Sequence, residues 1–334
     1  MSAPRVAVVG VGHLGSIHAR IWAEHPEVEL VAVVDARPER ARDLAAELAC
    51  AALADARELP GDVDGVCVVV PTAVHAEVAV PLLERGVACL VEKPLAADLE
   101  QADRILAAAE RGGALLAVGH VERFQPGVRV VREMGWRPRF VECHRLSPFS
   151  FRALDVGVVH DLMIHDLDLL LDLCGSEVES VDAAGGAILT EREDLASVRL
   201  VFRNGARANV TASRASLQPM RRMRLFSPEG YVSLDFQKNY GIMITKGPEF
   251  ESGREALRTM DPMMLALRKD WITEKVLSVT ELELGGEKRP LQAELDSFLR
   301  CIREGGRPEV SGSDGRRALE LADRIVAEIR ARAW

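Results

Sequence analysis

Val6-Ala-Val-Val-Gly10-Val-Gly12-His13-Leu14-Gly15 opens a stretch that closes, one amphipathic segment later, on Leu30-Val-Ala-Val-Val34-Asp35. An aliphatic run, a G-x-G-x-x-G turn, a helix and a second aliphatic run ending in an acid follow each other as in a dinucleotide-binding βαβ unit. Gly10 permits the tight turn, Gly12 lets backbone approach a pyrophosphate, and Gly15 lets the helix pack on the strand. His13 and Leu14 lie between them, where the first N–H groups and the positive end of the helix face the phosphates. Asp35 is placed to accept hydrogen bonds from the adenosine ribose hydroxyls. A carboxylate there repels a 2′-phosphate, so NAD is expected over NADP; Arg37 and Arg40 nearby keep NADP open as the alternative.

The pattern continues outward. Val66–Val70, Val87–Val91 and Ala114–Val118 are further aliphatic runs of the kind buried on both faces in a parallel sheet. Between them Pro38 starts a helix at a position where its missing N–H costs nothing. Thr72 is expected to cap the next helix and Gly86 to end it; Asp98 with Gln101 forms a capping box for the one after. Strictly alternating elements predict an α/β, doubly wound (Rossmann) parallel sheet over residues 1–122. From 123 to 334 the text changes. A long helix over Val156–Cys174 gives way to alternating strands, with a type I′ hairpin expected at Asn204–Gly205 and a second hairpin around Pro228–Gly230. Helices over Leu291–Glu304 and Asp314–Ala331 finish it, predicting an α+β domain with an open, mainly antiparallel sheet.

Length and charge bound the function. At 334 residues the chain has room for two cores, and its net charge of −9 argues against a partner whose phosphates must be tracked, as in nucleic acid. No apolar run reaches the length of a membrane span, so no membrane partner is expected. The six cysteines show no C-x-x-C and no close pairing, which argues against disulfides and zinc and for a reducing cytoplasm.

Candidate chemistry gathers where strands end. In an open α/β sheet the carboxyl ends of the strands line the ligand crevice, so Pro71, Thr72 and His75 after one run are candidates to touch ribose or nicotinamide. Val91-Glu92-Lys93-Pro94 ends the next. Only six of 42 basic residues are lysine, and Lys93 is the sole one before Lys238. A compact ammonium suits neutralising an alkoxide or polarising a carbonyl. On the long helix, Asp161, His165, Asp168 and Asp172 are spaced i, i+4, i+7, i+11 along one face. A carboxylate one turn from an imidazole makes a proton-abstracting pair. A polar structural face and a metal site are the other readings of these spacings, the metal weakened because His160 and His165 point apart.

Together GVGHLGSIHA at 10–19, VVVPTAVHAEVA at 68–79, VEKPLA at 91–96 and DLMIHDLDLL at 161–170 resemble the Gfo/Idh/MocA family of NAD(P)-dependent sugar and cyclitol oxidoreductases. The resemblance implies that Lys93, Asp161 and His165 form the catalytic group; on the residues themselves, no metal is expected. It implies a substrate placed between the dinucleotide domain and the sheet, and homodimers or homotetramers built through that sheet. Gly119–Pro126, Ser150–Asp161 and Thr211–Ser216 look more narrowly like UDP-N-acetylglucosamine 3-dehydrogenases, which implies a nucleotide-sugar substrate. Gln125 stands where that group leads one to expect Asn, and His160 where a small or polar residue is expected. His120, Arg123, Arg152 and Arg214 are the candidates for substrate contact, because a diphosphate needs cationic donors. A dehydrogenase of a free sugar or inositol, and a non-catalytic dinucleotide sensor on the same scaffold, are the competing functions.

Overall fold

In the computed structural model, which describes residues 3–149, 156–285 and 289–332, the glycine turn does join a strand to a helix. The first unit alternates β1 (Arg5–Val9), α1 (His13–Glu24), β2 (Glu29–Val34), α2 (Pro38–Leu48), β3 (Ala51–Leu53), β4 (Gly65–Val68), α3 (His75–Glu84), β5 (Ala88–Glu92), α4 (Leu99–Gly112) and β6 (Leu116–Gly119). All six strands are parallel, in the order β3-β2-β1-β4-β5-β6. The order reverses between β1 and β4, and the glycine turn emerges at that switch point. The aliphatic runs are buried on both faces because helices cover both: every residue of β4, β5 and β6 is buried.

Local signals act as the residue types dictate, with two exceptions. Asp98 accepts from the Gln101 backbone N–H and side-chain amide, both at 2.8 Å, and Gly113 closes α4 in the left-handed region. Thr72 caps nothing; it lies inside a short 3-10 turn, Thr72–Val74, ahead of α3. The Asn204–Gly205 hairpin exists, but Gly205 alone has positive φ (+84°). Its N–H donates to Phe202 O, and Phe202 N–H to Ala206 O, a type I turn closed by a glycine bulge rather than type I′. Asn204 is spent differently: its side-chain amide donates to Cys174 O and its Oδ1 accepts from Ala206 N–H.

The second unit contains α5 (Pro126–Glu133), β7 (Phe140–Leu146), α6 (Ile164–Cys174), β8 (Val178–Gly186), β9 (Leu195–Phe202), β10 (Arg207–Ser213), β11 (Met220–Phe226), β12 (Gly230–Asp235) and β13 (Tyr240–Lys246). It continues through α7 (Phe250–Thr259), α8 (Pro262–Leu267), α9 (Lys269–Trp271) and β14 (Leu277–Leu282). Its eight strands run β14-β13-β12-β11-β7-β10-β9-β8, antiparallel except where β10 lies parallel to β7.

The boundary is not the single cut at residue 122 that the sequence implies. One unit holds Met1–Phe124 with Lys288–Leu321, the other Gln125–Glu287 with Ala322–Trp334. The reason is hydrophobic. Helix α10 (Pro290–Glu304) places Leu295, Phe298 and Leu299 in one core cluster with Val6, Val8, Trp22, Val33 and Leu90, and so covers one face of the parallel sheet. Next comes Ser311, which bridges to Ala117, while Val118 N–H donates to Val310 O. The open edge of β6 is thereby capped before α11 (Gly312–Ala331) begins.

Candidate active site

The three glycines of the turn divide their labour. Gly10 has φ +90°, and a Cβ there would stand 2.5 Å from Val69 O; one on Gly15 would stand 1.8 Å from Gly10 O. Both are required by packing. A Cβ on Gly12 would meet nothing within 4 Å, because that Cα faces open space. The space is a pocket of about 1230 Å³, bordered by Gly10, Gly12, Leu14, Asp35, Arg37, Pro71, Glu92 and Lys93. A backbone bared by glycine, at the positive end of α1, fits a dinucleotide pyrophosphate. Asp35 is held rigidly at its rim: Oδ2 accepts from Val11 N–H and Oδ1 from Arg37 N–H, both at 2.9 Å. With two oxygens of four-lone-pair capacity and two backbone bonds made, the carboxylate retains acceptor capacity for ribose hydroxyls. Arg40, Arg57 and Arg85 also border the pocket. Arg57 and Arg85 were not legible as pocket residues, since each comes from an element far along the chain from the glycine turn.

Three side chains expected at the cofactor do not line this pocket, and Thr72, in the 3-10 turn ahead of α3, is the first of them. His13 is exposed at the start of α1 and is not among the pocket's lining residues. His75 is buried; its Nε2 lies 2.9 Å from Val70 O and its Nδ1 3.0 Å from Pro94 O. It thus ties the loop after β4 to the segment after Lys93. Burial is the largest influence on this ring and lowers its pKa, against the pull of the carbonyls it faces. Glu92 and Lys93 end β5 at the pocket, and the Lys93–Pro94 peptide is cis. Glu92 Oε2 accepts from the Lys93 N–H at 3.1 Å.

In the second unit the D-x-x-x-H motif is not on a plain α-helix. Val159–Met163 forms a π turn that leads directly into α6, so the motif straddles the change in helical pitch. Such turns occur mostly as single insertions in α-helices, often at functional sites. Asp161 and His165 are both half-buried. The residues around them anchor the helix. Asp166 is clamped by Arg145 of β7 through Nε at 2.8 Å and Nη2 at 2.7 Å, with both side chains buried. Asp172 pairs with Arg132, His160 with Asp323 at 2.8 Å, and Asp168 is fully buried. Among the described residues no group of three His, Cys, Asp or Glu is disposed to hold a metal ion.

The expected substrate donors fare unevenly. Arg214 is buried on Asp194 (Nε to Oδ1, 2.6 Å) and also donates to Val156 O and Thr190 Oγ1. Arg123 is buried against Glu309 O at 3.0 Å and near Asp314. These guanidiniums are committed to the protein, because a buried cation requires a partner. His120 is buried where β6 ends. Arg152 lies outside the described residues.

Pocket, bared glycine and acid at the switch point are features of a dinucleotide-binding oxidoreductase. A signature described as "Oxidoreductase family, NAD-binding Rossmann fold" (GFO_IDH_MocA) matches residues 4–120, and "GFO/IDH/MocA C-terminal domain" matches residues 127–233. The chain belongs to the Gfo/Idh/MocA oxidoreductase family. A UDP-N-acetylglucosamine 3-dehydrogenase from Acidithiobacillus ferrooxidans is 37% identical, over 98% of this chain and 97% of that protein. A solved structure of a UDP-N-acetylglucosamine 3-dehydrogenase from that organism superposes with a TM-score of 0.86 at 36% identity, covering 99% of both chains. An inositol 2-dehydrogenase from Rhizobium meliloti is 28% identical over 97% of this chain and 96% of its own length. Like other members of the Gfo/Idh/MocA family, this protein is an NAD-dependent enzyme of the dehydrogenase class, and no helix among its described residues is long and apolar enough to cross a membrane.

Proposed function

We propose that this Gfo/Idh/MocA enzyme oxidises the 3-hydroxyl of a UDP-N-acetylhexosamine to a ketone. The observation that carries the reading is the 37% identity, over nearly the full length of both chains, to an enzyme named for that reaction. When bound, NAD accepts the two electrons and one hydrogen that leave the sugar carbon. The glycine turn and the N-terminus of α1 would hold its pyrophosphate, and Asp35 its adenosine ribose. His165 takes the proton from the sugar hydroxyl, and Asp161 orients the ring and stabilises its protonated form. The Lys93 ammonium neutralises negative charge developing on the same oxygen. For the diphosphate, the engagement of Arg123 with Asp314 and of Arg214 with Asp194 turns the reading toward Arg152. The protein works in the cytoplasm, as its free cysteines suggest, and as a homodimer or homotetramer.

The test is absorbance at 340 nm with NAD or NADP offered against UDP-N-acetylglucosamine, free hexoses and inositols. Reduction of NAD by UDP-N-acetylglucosamine alone is the expected result. A response to inositols or free sugars only would overturn the substrate and leave the dehydrogenase. Tight NAD binding with no reduction by any of them would leave a dinucleotide sensor.

A further inference from the structure

The π turn that carries Asp161 starts among buried backbone: Gly157, Val158 and Val159 are all buried. The first N–H groups of a helix find no partner within it, and buried ones need acceptors from elsewhere. Val158, ahead of the turn, has no side chain that could serve. Glu193, on the loop between β8 and β9, supplies them instead. Its carbonyl oxygen accepts from the Val158 N–H at 2.9 Å and its Oε1 from the Val159 N–H at 3.4 Å. A Cβ on Gly157 would stand 1.8 Å from Glu193 Oε1, and its three nearest atoms would all belong to that carboxyl group. Gly157 has no positive φ, so it serves here by leaving room for the carboxylate.

The residue after Glu193 bolts the loop. Asp194 is fully buried, and its Oδ2 accepts the N–H groups of Ile188, Leu189 and Thr190. Its Oδ1 accepts from the Thr190 hydroxyl at 2.9 Å and from Arg214 Nε at 2.6 Å. Arg214 reaches on from there to Val156 O at 2.7 Å. Residues 156–159 thus lean on one loop and the guanidinium that holds it. The Asp161 N–H donates to Gly157 O at 3.0 Å, which carries the hydrogen-bonded chain into the motif.

We propose that Glu193 is a positioning residue for the Asp161–His165 pair: it caps, from outside, the helix that carries them, on a loop that Asp194 and Arg214 hold in place. The inference rests on the roles given to Asp161 and His165 above. Without the cap the π turn shifts, and a displacement of about 1 Å at reacting groups can cost about 10²-fold in rate.

The test uses full-length Glu193→Ala, Gly157→Ala, Glu193→Gln and the Gly157→Ala/Glu193→Ala double variant. Glu193→Ala removes the carboxylate; Gly157→Ala displaces it. Each is expected to lower kcat about tenfold, with NAD affinity within about threefold and melting within about 4 °C of wild type. Glu193→Gln keeps an acceptor oxygen and is expected to hold kcat within about threefold. The double variant is expected to be no slower than Glu193→Ala, because both substitutions remove one contact. Lowered melting with kcat spared marks a purely structural role and overturns the proposal. So do additive losses in the double variant, or a Glu193→Gln protein as slow as Glu193→Ala.

Two arms need no substrate. The Val159 amide is expected to exchange its hydrogen at least about tenfold faster in Glu193→Ala and Gly157→Ala than in wild type or Glu193→Gln. Asp194→Asn, which loosens the loop, is expected to free the Val158 amide as well. Unchanged protection in these variants overturns the cap. The His165 imidazole NMR signal, assigned by its loss in His165→Ala, is expected to shift in Glu193→Ala and Gly157→Ala; an unmoved signal overturns the positioning. A shifted signal in a protein that oxidises no sugar condemns the functional reading alone.

Discussion

At Gly12 the missing side chain leaves the backbone open to a ligand, whereas at Gly15 it prevents a clash with the turn itself. Substitution separates the two. Gly12→Val is expected to melt like wild type and to weaken NAD binding at least tenfold by calorimetry, since the new side chain occupies the pyrophosphate approach. Gly15→Ala is expected to destabilise by about 1–3 kcal/mol, because the backbone it strikes has to shift. At the reacting end, Lys93→Met and His165→Ala should each lower kcat about 10²-fold while NAD affinity holds; full turnover in either removes that residue from the mechanism. These residues were legible because their signals are short: three glycines and an acid in register, and one lysine in a chain that otherwise uses arginine. His75 and Arg214 were misplaced by the same reading. A polar residue at a strand end or beside a sheet looks identical in sequence whether its partner is a ligand, as expected, or the carbonyl of Pro94 or the carboxylate of Asp194, as found.

Among the elements, the helix that carries the D-x-x-x-H motif shows where periodicity stops being informative. An i, i+4 spacing implies a face only if the pitch is that of an α-helix, and the π turn at Val159–Met163 changes the pitch inside the motif. What fixes α6 instead is tertiary: the Arg145–Asp166 clamp on one side and the Asn204 amide on its C-terminal carbonyl at Cys174. Asp166→Leu alone takes from buried Arg145 the carboxylate that holds it by two hydrogen bonds and is expected to cost about 3–5 kcal/mol in denaturant unfolding. Pairing it with Arg145→Met should recover most of that loss, since an apolar pair of similar volume replaces a buried ion pair at little cost. A double variant no more stable than the single would mean that the clamp holds more than the pair. In helix α8 composition does not report burial, because Met263, Met264 and Leu267 are apolar yet exposed.

For the molecule as a whole, the amphipathic pattern of α10 announced a buried face but not the surface it covers, which is why a discontinuous first unit was not foreseen. One acid ties that late segment down. Asp314 accepts from the Ser311 N–H and hydroxyl and pairs with Arg317 at 2.6 Å. Burial works against its ionisation, but the Ser311 hydrogen bonds and the Arg123 and Arg317 charges outweigh it and pull its pKa down to about 2. Because this lies below the ordinary aspartate value of about 3.9, the stabilisation is present above that value and is lost as pH falls through about 2. Asp314→Asn is expected to be less stable than wild type at neutral pH, with the difference shrinking as denaturation is repeated at lower pH; a pH-independent difference would deny the charge its role. The strip at Val310–Ser311 has a further meaning for the chain as it is synthesised. The ribosome releases β1 to β6 early, but the segment that closes their last edge emerges only after the entire second sheet. Until then the nascent parallel sheet offers β6 to any passing strand, so the first third of the protein is the last to become safe from mispairing.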